Sequence, residues 1–193
     1  MMSLPLWKFT RNRYGRALYD ALADRGVTAT RMYLYRAALD DVPAVEPPAG
    51  VRFAVRDPET LDADEYADFA DPEPEDLAVV AESDGGVAGY LFLTDARPKR
   101  VDPLARTYDF EGAYVWRLFV APPRRGRGIA TALVNRALAV ARDERDAESA
   151  CALVAADNRP SQWVFETNGF ERREARSYVR LGPCEFRRRR AAT

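Results

Sequence analysis

Histidine is absent from all 193 residues. That removes histidine triads, histidine metal sites and a histidine general base from the chemistry open to this chain. Cysteine occurs twice, at Cys151 and Cys184. Two thiols so far apart suit a reducing compartment better than a disulfide framework. Lysine occurs only at Lys8 and Lys99, so the positive charge rests on arginine. The formal net charge is -1, and no global field draws the chain to nucleic acid. No apolar run approaches the ~20 residues of a membrane span. The N-terminus, around Trp7-Lys8-Phe9, lacks the apolar segment of a signal peptide. The expectation is a cytoplasmic protein that uses neither a membrane nor a metal.

What is present suffices for one domain with a sizeable core, since 47% of residues are hydrophobic. Residues 10 to 25 read as a helix, with Tyr14, Leu18, Ala21 and Leu22 on one face. Val27 to Leu39 alternates and reads as a strand, with Met32 and Leu34 facing one way and Tyr33 and Tyr35 the other. Residues 1–48 thus form an N-terminal helix–strand extension and linker. It is either an extra layer on the sheet or a lid or dimer arm, which leaves a homodimer open. Asp40 to Gly50, with Pro43, Pro47 and Pro48, reads as the linker.

Val51, Phe53 and Val55 open the next strand, and Asp57-Pro58 has the signature of a helix start. Leu77 to Glu82 and Val87 to Thr94 read as a hairpin around Ser83-Asp84-Gly85-Gly86. Asp95 to Phe110 reads as a long polar connection, bordering a site or simply solvated. Cys151 to Ala156 is a buried strand, and a helix follows from Asn158 to Gly169. Phe170 to Glu174 and Arg176 to Leu181 read as a final strand pair. Residues 185–193, with Arg187 to Arg190, read as a basic tail.

The stretch that organises the chain is Val115 to Ala130, VWRLFVAPPRRGRGIA. A buried strand ends at Ala121-Pro122-Pro123, because proline gives no N–H to a ladder. Arginines and glycines follow, and then an amphipathic helix on Ile129, Leu133, Ala137, Val140 and Ala141. A strand, a glycine- and arginine-rich turn and a helix N-terminus together make an anion site. The turn lacks Gly-x-x-x-x-Gly-Lys-Ser/Thr and any nearby lysine, which excludes a P-loop nucleotide triphosphatase.

Arg125-Gly126-Arg127-Gly128-Ile129-Ala130 resembles the Arg/Gln-x-x-Gly-x-Gly/Ala signature of the GCN5-related N-acetyltransferases (GNAT). Val120-Ala121-Pro122 stands where that family ends its strand in Val-x-Pro. Asn158 to Phe170 resembles the family's next motif, an Asn, a helix and a closing Gly-Phe. The resemblance covers roughly residues 50 to 182 and places an N-acetyltransferase domain at 49–184. It implies an α/β fold: a mixed, mostly antiparallel sheet with a parallel, splayed central strand pair, flanked by helices.

It further implies an acetyl-CoA-dependent N-acetyltransferase acting on a primary amine of a small molecule or a peptide terminus. Leu118, Phe119 and Val120 would face the amide-bearing arm. Arg125, Gly126, Arg127, Gly128, Ile129 and Ala130 would hold the diphosphate. Asn158, Ser161 and Phe165 would form the opposite wall. An alkyl amine has a pKa of about 10 and must lose a proton before attack. With no histidine, Glu111 at the start of the central strand is the candidate base, or else an ordinary exposed charge. Many members carry a tyrosine as general acid where this chain has Phe165. Tyr178 or Tyr114 could replace it, with core packing the alternative for both.

That departure keeps a second reading in play, a CoA-binding or sensing protein with weak catalysis. A third, a nucleic-acid-binding module resting on Arg187 to Arg190, is opposed by the near-zero net charge. Ten acids between Asp57 and Asp76 form either a rim that attracts a cationic acceptor or a solvated face.

Overall fold

The computed structural model describes residues 27–40, 42–58, 72–84 and 86–192. The helix expected at 10 to 25 lies outside these residues, as does the helix expected to start at Asp57-Pro58, apart from those two residues. Ten strands are described: β1 Val27–Ala38, β2 Arg52–Arg56, β3 Leu77–Ser83, β4 Gly86–Thr94, β5 Pro98–Val101, β6 Arg106–Asp109, β7 Ala113–Val120, β8 Ser149–Ala155, β9 Glu171–Leu181 and β10 Cys184–Ala191. Helices α1 Ile129–Arg145 and α2 Arg159–Thr167 flank β8 in the chain. Eight strands form one sheet in the order β10-β9-β1-β8-β7-β4-β3-β2, and β5 and β6 form a separate hairpin. Every pairing in the large sheet is antiparallel except β7 with β8.

The N-terminal strand is not an added layer. It lies inside the sheet, with Met32–Ala38 opposite β8 and Val27–Arg36 opposite β9. Alternation along β1 explains why both its faces are used. Tyr35 and Ala37 join the core beneath α1 and α2, with Leu91, Val115, Leu133, Val154 and Phe165. Met32 points the other way, toward Leu104, Phe110, Tyr114, Cys151 and Tyr178. The linker then runs along α1. Pro43 O accepts from Asn135 Nδ2 at 2.6 Å, and Val45 N donates to Asn135 Oδ1 at 3.3 Å.

Two expectations at the C-terminus are corrected. Phe170 to Leu181 is not a strand pair, because β9 is continuous. The turn falls at Gly182, whose φ of 59° suits glycine before Pro183. The basic tail is instead an edge strand, β10, paired with β9. Arg187 pairs with Glu185, and Arg189 with the buried Glu174. Charge along an exposed edge blunts pairing with other chains. Replacing Arg188 and Arg190 together by valine is expected to cause concentration-dependent association, measured by light scattering. A variant as monodisperse as the parent would remove that role.

Asp95 to Phe110 is a hairpin that packs on the sheet, not an open polar connection. Val101, Leu104 and Phe110 are buried there. Its base is tied by a buried ionic network in which Asp76 takes Lys99 Nζ at 2.7 Å, Arg97 Nη2 at 2.6 Å and Thr94 Oγ1 at 2.6 Å. Burial pushes the Asp76 carboxyl up, but hydrogen bonds from Lys99, Thr94 and the Glu73 N–H outweigh it. The net effect holds the group below the usual carboxylate range.

A depressed folded-state pKa gives stability that is present above about pH 4 and lost as pH falls through the folded value. Asp76→Asn should therefore cost about 3 kcal/mol at pH 7, because it leaves Lys99 poorly paired. In denaturant melts the difference from the parent should shrink below about pH 4. A pH-independent difference would place the cost elsewhere.

Candidate active site

β7 and β8 start side by side and then part. Their parallel pairing is limited to Ala113 with Ala150 and Tyr114 with Cys151. Beyond that point, among the described residues, each keeps only its outer partner. β7 stays on β4 as far as Val120, and β8 stays on β1 as far as Ala155. The inner edges of both strands therefore border a gap with unused main-chain groups.

A bulge in β7 accompanies the split. Between the Phe92–Trp116 and Tyr90–Phe119 pairs, Leu91 alone faces both Arg117 and Leu118. Arg117 adopts a φ of 55°, rare for a residue with a side chain. Such a bulge bends its strand. It also resets the alternation. Leu118 and Val120 pack toward the core under α1, while Phe119 stacks near Tyr90 on the other face, with ring centroids 5.3 Å apart. The bulge falls at Arg117, the one charge in the apolar run.

The turn follows at the open end. A short 3-10 turn, Pro122–Arg124, leads into Gly126 (φ 75°) and Gly128 (φ 78°). Residues 125–128 are exposed. Among the described residues, no N–H of 126–128 donates to a main-chain carbonyl, and the first helical bond comes from Ala132 to Gly128 O. Gly128 caps α1 with no side chain. The first-turn N–H groups of α1 are thus unpaired donors at the positive end of a helix. Arg125 is fixed by Nε donating to Val120 O at 2.9 Å, and Arg124 by Nη2 donating to Asp84 O at 2.7 Å.

The opposite wall follows β8. Asn158 caps α2, accepting from Ser161 N at 3.3 Å and donating from Nδ2 to Ser161 Oγ at 2.9 Å. Gln162, not anticipated from sequence, donates from Nε2 to the carbonyls of Ala155 and Ala156, at 3.0 and 3.1 Å, and ties α2 to the end of β8. Phe165 is buried in the core, edge-on to Phe170 at 5.0 Å.

Leu118 to Ala130 thus gather at one end of the split, with Asn158 and Ser161 across it. Glu111 and Tyr178 do not join them. Glu111 lies at the closed end of β7, paired with Arg36 and largely exposed. Leu118 lies seven positions further along the chain, about 23 Å at strand rise. It lines a separate cavity of about 430 Å³ with Arg36, Arg145 and Ser149. Tyr178 sits on β9, two strands from the gap on the sheet's β1 side, and donates to Glu185 at 2.9 Å. Burial, then that bond, raises its pKa. Tyr114 stands where the strands part, stacked on Phe110 at 3.9 Å, and burial raises its pKa. Cys151, opposite it, is a free thiol pushed up to about 12 by burial and is no nucleophile at neutral pH.

Known proteins share the fold. The fold matches a GCN5-related N-acetyltransferase from Sphaerobacter thermophilus (20% identity, TM-score 0.55, 94% of this chain and 59% of that one). It matches a second from Kribbella flavida (20%, TM-score 0.54, 87% and 64%). A GCN5-related N-acetyltransferase-like protein from Streptococcus suis also matches (17%, TM-score 0.50, 88% and 69%). The chain spans about three-fifths of the length of the first two. No curated protein matches it in sequence. Residues 48–170 match the Acetyltransferase (GNAT) family, and the chain belongs to that family.

Proposed function

We propose that this chain transfers an acetyl group from acetyl-CoA to a primary amine by direct attack on the thioester. One observation carries the reading: a strand that has lost its inner partner runs straight into an exposed, uncapped cradle of main-chain donors. A cradle of that kind suits a diphosphate. The free edge of Leu118–Val120 suits an amide-bearing arm, which would pair as an extra strand does.

Acetyl-CoA supplies the activated acyl group. An N–H at Phe119 or Val120, aimed into the gap, would stabilise negative charge on the thioester oxygen. The amine forms the C–N bond as the C–S bond breaks, and it loses a proton while the departing sulfur gains one. The thiol of the leaving group has a pKa near that of cysteine, about 8.5, so the thiolate leaves with little help. Deprotonation is not assigned to Glu111, which stands at the far end of β7. Water at the open gap takes that role, and kcat/KM should rise with pH toward the acceptor's own pKa of about 10.

Thiol release from acetyl-CoA tests the reading against polyamines, amino acids, aminoglycosides and short peptides. Acceptor-dependent release is expected. Binding of acetyl-CoA without release for any acceptor would favour the CoA-sensing alternative. The buried Phe165, with no proton to give, is the observation that keeps that alternative alive.

A further inference from the structure

The three arginines of the turn are divided between two sides. Arg125 is held against Val120 O, the end of the strand that borders the gap. Arg124 and Arg127 instead line a separate cleft, toward β2 and β3. The cleft has a volume of about 140 Å³, room for four or five heavy groups at the ~30 Å³ a water takes. Pro48 and Gly50, where the linker ends, close it on one side, and Ser83 and Asp84 at the end of β3 on the other.

Its chemistry is that of an anion site. Arg124 is pinned by one nitrogen to the Asp84 carbonyl, so its remaining donors are pre-oriented. Arg127 has no ion-pair partner among the described residues. Ser83 Oγ is buried and has no hydrogen-bond partner among the described residues, a cost unless something accepts from it. Ile129, the first residue of α1, also lines the cleft and brings the helix's positive end. Among the described residues, Asp84 is the one acid in the wall, against Arg124 and Arg127.

We propose that this cleft is a phosphomonoester site, separate from the diphosphate cradle and on the other side of the same turn. Resting on the reading of the turn given above, its occupant is the 3′-phosphate of CoA. The main-chain N–H of Arg127 serves the cradle, and its side chain serves the cleft. The chain therefore discriminates CoA from 3′-dephospho-CoA.

Calorimetric titration of the full chain with both ligands at fixed ionic strength tests this. CoA is expected to bind at least about tenfold tighter than dephospho-CoA, the gain typical of one charge-assisted contact. Arg127→Ala should erase most of that difference by weakening CoA far more than dephospho-CoA, and Arg127→Lys should restore part of it. Inorganic phosphate should compete with CoA more strongly than with dephospho-CoA, whereas equal competition would place the free anion in the cradle and overturn the proposal. Equal affinity of the parent for both ligands, or an equal loss for both in Arg127→Ala, would overturn the cleft assignment alone. Failure of both ligands to bind the parent would overturn the turn reading and the cleft with it.

Discussion

A chain beginning at residue 49 will not fold, although the family match starts at residue 48. β1 is the reason. It is the only described strand that joins β9 and β10 to the rest of the sheet. Its loss would strip β8 of one ladder and β9 of another. It would also remove Met32, Tyr35, Ala37 and Leu39 from the core. At about 1.5–3 kcal/mol for each large apolar side chain, Met32, Tyr35 and Leu39 alone are comparable with the roughly 5–15 kcal/mol typical of a domain's stability.

The functional consequence is as direct. β8 forms one wall of the gap because β1 holds it from outside. Circular dichroism and a thermal melt of residues 49–193 should show no cooperative transition. A milder probe keeps the argument testable. Tyr35→Ala should cost about 3–5 kcal/mol as a large-to-small core change. Tyr35→Phe, which removes only the bond to Glu166 Oε1 at 2.9 Å, should cost about 1 kcal/mol. A truncated chain melting near the parent's temperature would show that β8 and β9 rejoin without β1.

The difference between what the sequence showed and what it hid follows the range of the interactions involved. The turn at 124–130 was readable because proline, glycine and arginine act on their own neighbours. The cap of α2 by Asn158 was equally local. Alternation in Val27–Leu39 announced a strand but not its partners, since β1 pairs with residues more than a hundred positions away. β10 was hidden for another reason. Both its faces are exposed, so four consecutive arginines carry no alternation, and backbone pairing with a few polar contacts, not apolar burial, makes the strand. The hairpin at 98–109 was masked by its charges, because Lys99 is buried through ion pairs and not through apolar character. Glu111 was correctly placed before β7, yet a position in sequence does not say which end of two strands opens.

Gly128→Val is expected to abolish the stabilisation that acetyl-CoA gives the parent. Gly128 holds a φ of 78° at the cap of α1, a conformation that costs a side-chain-bearing residue roughly 1–2 kcal/mol and a β-branched one more. The backbone would relieve that strain by rotating, and rotation turns the N–H groups of 126–130 away from a common centre. A cradle that depends on convergence loses its ligand when the donors diverge. With ligand at 100 times its Kd, the parent should gain about 2.7 kcal/mol, read as a rise in melting temperature, and the variant almost none.

Strain itself must be separated from loss of the cradle. Gly182→Ala provides the control, since Gly182 has a φ of 59°, open space where a Cβ would lie, and a place in the β9–β10 turn far along the chain. It should lower the melting temperature while leaving the ligand-induced rise intact. If Gly128→Val binds acetyl-CoA as tightly as the parent, the diphosphate does not sit on this turn. The split between β7 and β8 would then need another occupant.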